Sequence, residues 1–195
     1  MDLPIYKLLI SADLDNDAEV DFVALVDRPA IQRNFLAFTE RQKFEIISED
    51  KQILSGPLML ADMPIYRNNE QFGEHYVIFD ADTIQKIAEK FFKKNYQANV
   101  NEMHDSNKAV SGVTMFESWI VNRDLGKMPI KGFEDVADGS WFGSYKVDNM
   151  EVWQKVKDGT FQGFSVEGLF DYSDMVTKEE KMVEQIKAIL LSAGI

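Results

Sequence analysis

A chain of 195 residues with 45% hydrophobic content is long enough for one sizeable domain with a real core. It has no cysteine, which excludes disulfides and thiolate metal sites, and only two histidines, which argues against a His-rich metal centre. A formal net charge of -12 argues against a general nucleic-acid binder, whose affinity comes from Lys and Arg on phosphates, and favours basic partners. No segment reaches the apolar length of a membrane span, and the N-terminus lacks the basic-then-apolar order of a signal peptide. No cofactor, nucleic acid or membrane is therefore expected.

In chain order, residues 4–10 form an apolar run of strand length. An acidic turn follows (Asp13, Asp15, Asp17, Glu19), then a strand over 20–26. Pro29 ends that strand, because it cannot continue a ladder. Residues 35–38 and 44–47 read as a short pair. The run 53–60 is interrupted by Gly56-Pro57, and 65–67 and 75–79 are further strands. All are short and bounded by turn residues, the pattern of a mostly antiparallel β domain. Fourteen Phe and three Trp fit a β-rich interior.

Three helices stand out. The first starts with Asp82 as N-cap and Gln85 completing a capping box, with Ile84, Ile87, Ala88, Phe91 and Phe92 on one stripe. The second starts at Asp148 with Glu151 as box partner, buries Val152, Trp153 and Val156, and stops at Gly159. The third starts at Thr177 with Glu180 as partner; its stripe from Met182 to Leu190 could pack on the body or on a partner helix. A hinge over 171–174 then separates a main domain, 1–171, from a C-terminal amphipathic segment, 172–195.

The chemistry concentrates in residues 159–170, which alternate like a strand. Phe161, Gly163, Ser165, Glu167 and Leu169 share one face, so a serine and a carboxylate project together. Gly163 and Gly168 signal a bulge or the close approach of another backbone, for which a substrate strand is one candidate. A core strand with a small polar residue under a ring is the bland alternative. Neither a phosphate-cradling G-x-x-x-x-G-K-[ST] nor a G-x-G-x-x-G occurs, and G-F-S-V-E-G is not the G-x-S-x-G elbow. His104 closes a strand over 98–103 and precedes a turn-rich run, where it is suited to take a serine proton near neutral pH. A surface-loop histidine is the plainer alternative. His75, between Glu74 and Tyr76, reads as structural. Glu117 is a lone carboxylate on the apolar stripe Val113, Met115, Trp119 and Val121, so it needs a partner, an imidazole N–H or water. A hairpin turn centred between Val110 and Ser111 sets it opposite His104; a turn near Ser106-Asn107 keeps them apart.

Several segments resemble one family, the XkdF-type phage prohead proteases. They are V-D-F-V-A-L-V-D-R-P-A (20–30), L-S-G-P-L-M-L with P-I-Y-R (54–60, 64–67), and N-E-M-H-D (101–105) around His104. F-E-S-W-I-V (116–121), G-S-W (139–141) and W-x-x-V-x-x-G-x-F-x-G-F-S-V-E-G (153–168) follow in the family's order. That family is related in fold to herpesvirus assemblin. The resemblance implies a mainly β, α+β fold: a closed antiparallel β-barrel surrounded by helices. It also implies a serine endopeptidase that cleaves scaffold and major capsid proteins, and itself, inside the immature phage capsid in the host bacterial cytoplasm. On the matching positions Ser165 is the nucleophile and His104 the general base. The third member is expected to be an acid, with Glu117 first, Glu167 second, and Glu102 and Asp105 flanking His104. Backbone amides near Gly139-Ser140-Trp141 or Gly163-Phe164 are candidates for an oxyanion hole, and Ser118 and Ser140 are competing nucleophiles of little weight. Assemblin-like relatives dimerise through a helix, so the C-terminal stripe could serve a homo-oligomer. The alternative function is a non-catalytic capsid-assembly protein that binds scaffold on the same fold; a carboxylate-based glycosidase is a distant third.

Overall fold

The strand runs become twelve strands and two α-helices in the computed structural model, which describes residues 3–11, 13–27 and 43–175. The first strands are β1 (Ile5–Leu9), β2 (Val20–Val26), β3 (Glu45–Ser48), β4 (Ile53–Met59), β5 (Ile65–Asn69) and β6 (Gly73–Ile78). Helix α1 (Ala81–Lys93) leads to β7 (Val100–Glu102), β8 (Asp105–Val110), β9 (Val113–Ile120) and β10 (Trp141–Val147). Helix α2 (Met150–Lys157), β11 (Gly163–Gly168) and β12 (Asp171–Met175) complete the order.

The expected closed antiparallel barrel is not what these strands form. They make three open sheets of four, ordered β12-β1-β6-β5, β3-β4-β10-β9 and β11-β2-β7-β8. Two of the ladders, β1 with β6 and β2 with β7, are parallel, which hairpin connections alone cannot produce. Closure would also need the outer strand of one sheet to extend the ladder of the next. Where β11 nears the second sheet, side-chain packing and a backbone hydrogen bond from Phe44 N to Gln162 O (3.0 Å) stand in its place. Phe164 lies against Phe44 and Tyr145, with ring centroids 5.2 and 4.8 Å apart. Gly56 makes room for this contact, since a Cβ there would sit 3.0 Å from Phe44 Cα and 3.2 Å from the Phe164 ring. The mainly β character of the fold agrees with the sequence.

Local chemistry explains most element boundaries. Strand β2 is interior to its sheet, and its apolar run V-D-F-V-A-L-V buries Val20, Val23, Ala24, Leu25 and Val26. Gly56-Pro57 does not interrupt β4: the β3 ladder ends at Ser55, so the proline, which has no N–H, faces only β10, beside a register shift at Trp141/Phe142. The first helix is capped by Asp80, whose side chain accepts from Thr83 N, and not by Asp82. The second is capped not by Asp148 but by Asn149, whose Oδ1 accepts from Glu151 N and Val152 N. Gly159, at φ +81°, follows α2 as expected.

Helix α1 lays Ile84, Ile87 and Phe91 on the core, Phe91 meeting Trp141 edge-on at 5.5 Å. Its Lys90 is 2% exposed and reaches back to Asn16 O (2.7 Å) and Ala18 O (3.0 Å), tying the acidic turn to the helix just before β2 begins. The expected hinge over 171–174 falls in β12, which pairs antiparallel with β1. The expected strand over 35–38 and the helix from Thr177 lie outside the described residues. No helix among the described residues is long and apolar enough to cross a membrane.

Candidate active site

His104 does not close a strand, as expected, but occupies a tight turn. Glu102 of β7 pairs with Asp105 of β8, so Met103 and His104 alone make the connection. Both have positive φ, +54° and +60°, as a type I′ hairpin requires, and neither is the Asn or Gly that such turns favour. Non-glycine residues held in this region persist where their surroundings over-determine them, and such places cluster at functional sites. Met103 N donates to Leu25 O (3.0 Å), Asp27 N donates to Met103 Sδ (3.4 Å), and Lys155 of α2 grips both carboxylate oxygens of Glu102 (2.7 and 2.9 Å). The turn is thus pinned from β2 and α2 at once.

Ser165 lies on β11, the outer strand of that sheet, opposite Ala24 of β2. Its side chain is buried (5% exposed) beneath the imidazole of His104. The Nε2–Oγ distance is 3.0 Å. On the other side of the ring, Nδ1 lies 3.4 Å from Glu167 Oε2, and that oxygen also accepts from Asn101 Nδ2 at 2.8 Å. A neutral imidazole with its proton on Nδ1 would face Glu167 with a donor and Ser165 with a bare nitrogen, the arrangement needed to draw a proton from a hydroxyl.

Glycine at the end of G-F-S-V-E-G has two physical reasons. The register slips between Glu167 and Gly168, and a Cβ on Gly168 would stand 2.1 Å from Glu19 O and 2.8 Å from Val20 Cα. The closely approaching backbone is the entry to β2, not a substrate. Farther along β2, burial pushes the Asp21 carboxyl up, and the negative charges of Glu167 and Glu19 add to that push.

Glu117, the acid expected first, is not brought to His104. Strand β9 leaves the sheet of β7 and β8 and pairs with β10, which sets Glu117 opposite Ser144. The chain bends at Ser111-Gly112, near one of the turns weighed for it, but β8 and β9 then enter different sheets, so no hairpin sets Glu117 opposite His104. Glu117 Oε2 accepts from Ser144 Oγ (2.7 Å), which is in turn bonded to Ser55 Oγ (2.7 Å). Glu102 is taken by Lys155, and Asp105 Oδ1 by Asn107. The competing serines are otherwise engaged: Ser118 Oγ accepts from Trp141 Nε1 (2.7 Å), and buried Ser140 bonds Ala137 O (2.7 Å) and Ala61 N (3.1 Å). Gly139 packs against Ala81 and does not line the cleft at Ser165. His75 is fully buried among Tyr6, Phe72 and Tyr172, its Nδ1 2.8 Å from Gly73 O.

Ser165, His104 and Glu167 open onto a cleft of about 360 Å³, walled by Leu8, Leu58, Ile65, Phe79 and Phe170, with Arg67 at its lining. An apolar hollow with convergent polar groups at one side is the usual form of a substrate site. Among the described residues, no group of three or more His, Asp or Glu is placed to hold a metal. Asn101 was the residue the sequence reading passed over. It opens the N-E-M-H-D segment (101–105), and an Asn inside a strand is itself a signal.

Comparison with known proteins identifies the family. The model of the family described as "Putative phage serine protease XkdF" matches residues 47–174, which include His104, Ser165 and Glu167. In Bacillus subtilis (strain 168), the phage-like element PBSX protein XkdF is 24% identical over 179 residues, 87% of this chain and 57% of that protein. The uncharacterized protein YqbD of the same organism is 26% identical over 183 residues, 88% of this chain and 50% of its own length. The chain thus spans about half the length of the curated relatives it matches. No solved structure matches.

Proposed function

The chain belongs to the phage serine protease XkdF family, and from that premise we propose that it is a serine endopeptidase that trims scaffold and major capsid proteins, and itself, as the prohead matures. Ser165 Oγ attacks the peptide carbonyl while His104 Nε2 takes its proton. The imidazolium then gives that proton to the leaving amine, and water repeats the cycle on the acyl-enzyme. Glu167 accepts the Nδ1–H of His104 and so keeps Nε2 bare toward the serine. The reaction takes place inside the immature capsid in the host bacterium, where substrate and enzyme are confined together.

The 3.0 Å contact between His104 Nε2 and Ser165 Oγ carries this reading. Nucleophile and base stand within hydrogen-bond reach, the base has an acceptor behind it, and a cleft opens at the nucleophile. The test is a reaction with a fluorophosphonate, in which Ser165 Oγ would bond to phosphorus and expel fluoride. Peptide mapping by mass spectrometry is expected to find the adduct on Ser165 and none in His104→Ala. An intact chain that never labels would instead fit a non-catalytic assembly protein.

A further inference from the structure

Asn101 is 1% exposed in the middle of β7, and its two amide atoms are treated unequally. Nδ2 donates to Glu167 Oε2 at 2.8 Å, while Oδ1 is buried and has no hydrogen-bond partner among the described residues. Asparagine is depleted in strands, and an orphaned carbonyl oxygen in the interior costs free energy that an apolar residue would not incur. Such a group asks for an explanation. A carboxylate can only accept, so the amide must turn its NH2 toward Glu167, and the stranded oxygen is the consequence.

The strand register shows how the amide reaches. Ser165 of β11, Ala24 of β2, Asn101 of β7 and Ala109 of β8 lie in one row across the sheet, so their side chains share a face. The alanine between Ser165 and Asn101 keeps that face low. Glu167, two residues beyond Ser165 on the same strand, can therefore lean across β2 to the amide. Its Oε2 is approached by two nitrogens, and the bond from Asn101 Nδ2 (2.8 Å) is much shorter than the contact to His104 Nδ1 (3.4 Å). The side chains of His104 and Glu167 are 39% and 36% exposed, so they do not hold each other by burial. The buried amide is the fixed point of the group.

We propose that Asn101 is a positioning residue: it anchors the Glu167 carboxylate where the Nδ1–H of His104 needs an acceptor, and thereby sets which ring nitrogen faces Ser165. This rests on the reading of Ser165 as nucleophile. Without the amide, the carboxylate turns to water, the imidazole loses its partner, and both tautomers and ring orientations become populated.

Fluorophosphonate labelling of the 195-residue chain tests this without a natural substrate. Asn101→Leu, of similar volume but with no donor, is expected to lower the limiting labelling rate about 100-fold while the probe's binding constant stays unchanged, the loss typical of a misplaced reacting group. In a Glu167→Ala background there is no carboxylate to place, so Asn101→Leu should cost less than about threefold there, the non-additivity of residues acting through one another. Nitrogen NMR of the His104 ring, identified by its loss in His104→Ala, should show the Nδ1–H tautomer in the parent and a mixture in Asn101→Leu. Should the leucine variant fail to fold, Asn101→Ser carries the same measurements, since its hydroxyl is too short to reach Glu167. Labelling at the parent rate, or the same factor lost in both backgrounds, would overturn the proposal. Labelling of Ser165→Ala at the parent rate would overturn the underlying reading of the nucleophile instead.

Discussion

Replacing Gly168 by alanine probes fold and site together. A Cβ at this position would lie 2.1 Å from Glu19 O and 2.8 Å from Val20 Cα, and both obstacles are backbone. An ordinary carbon–oxygen contact is roughly 3.3 Å, so β11 and the entry to β2 must part by about 1 Å. Overpacking of this kind costs about 1–3 kcal/mol, which for a domain of this size lowers Tm by roughly 2–12 °C. The displaced residue adjoins Glu167, which is only loosely in contact with His104 at 3.4 Å. A shift of about 1 Å in a catalytic group can cost on the order of 100-fold in rate. Gly168→Ala should therefore melt earlier by circular dichroism and label more slowly with a fluorophosphonate, with residual labelling still on Ser165. Gly126→Ala is the comparison: that glycine is also constrained, at φ +70°, but nothing lies within 4 Å of its added Cβ. It should lose some stability and keep its labelling rate. Parent-like melting and labelling of Gly168→Ala would refute the reasoning.

Three further outcomes follow from the geometry. Glu117→Gln should leave the labelling rate of Ser165 unchanged, because Glu117 bonds Ser144 and not His104, whereas Glu167→Ala should slow it; a large loss in Glu117→Gln would contradict this placement. Lys90→Met removes the donor from Asn16 O and Ala18 O, and at about 1–3 kcal/mol per unsatisfied acceptor it should destabilise by roughly 2–6 kcal/mol in denaturant titrations. A change under about 0.5 kcal/mol, the range of neutral surface substitutions, would show that the buried ammonium does not hold the acidic turn. Burial pushes Glu19 up, but hydrogen bonds from Lys94 and Tyr96 and the charges of Lys94 and Lys90 outweigh it and hold the carboxyl below its ordinary 4.5. A depressed folded-state pKa gives stability that is present above pH 4.5 and lost as pH falls through the lower folded value. Glu19→Gln should flatten that part of the stability profile, and an unchanged acid slope would rule the contribution out.

The parts of this molecule that were legible in the sequence are those decided locally. Val20–Val26 reads as a strand because its apolar run is long enough to be interior, and Ile84, Ile87 and Phe91 declare the buried face of α1. The sequence places the first cap two residues late and the second one residue early, because Asp80 and Asp82, or Asp148 and Asn149, are equally good caps until the backbone geometry chooses. Ser165 and Glu167 were legible as neighbours on one face from alternation alone. What alternation could not give was long-range pairing. Two parallel ladders join strands far apart in sequence, and the route of β9 into another sheet carried Glu117 away from His104. The Met103-His104 turn was hidden for a different reason: both residues take a left-handed backbone that their side chains disfavour, and tertiary contacts hold them there. Sequence reasoning failed at a strained position beside the candidate site, where local preference and function pull apart.

The central claim is that this chain cleaves peptide bonds with Ser165. Its most direct test is incubation with a phage scaffold protein, the proposed substrate, with products located by mass spectrometry and Ser165→Ala run in parallel. The account predicts discrete cuts by the parent and an intact scaffold with Ser165→Ala, both chains giving the same circular dichroism spectrum. Cleavage at the parent rate by Ser165→Ala, or no cleavage by a parent chain that folds, would contradict it.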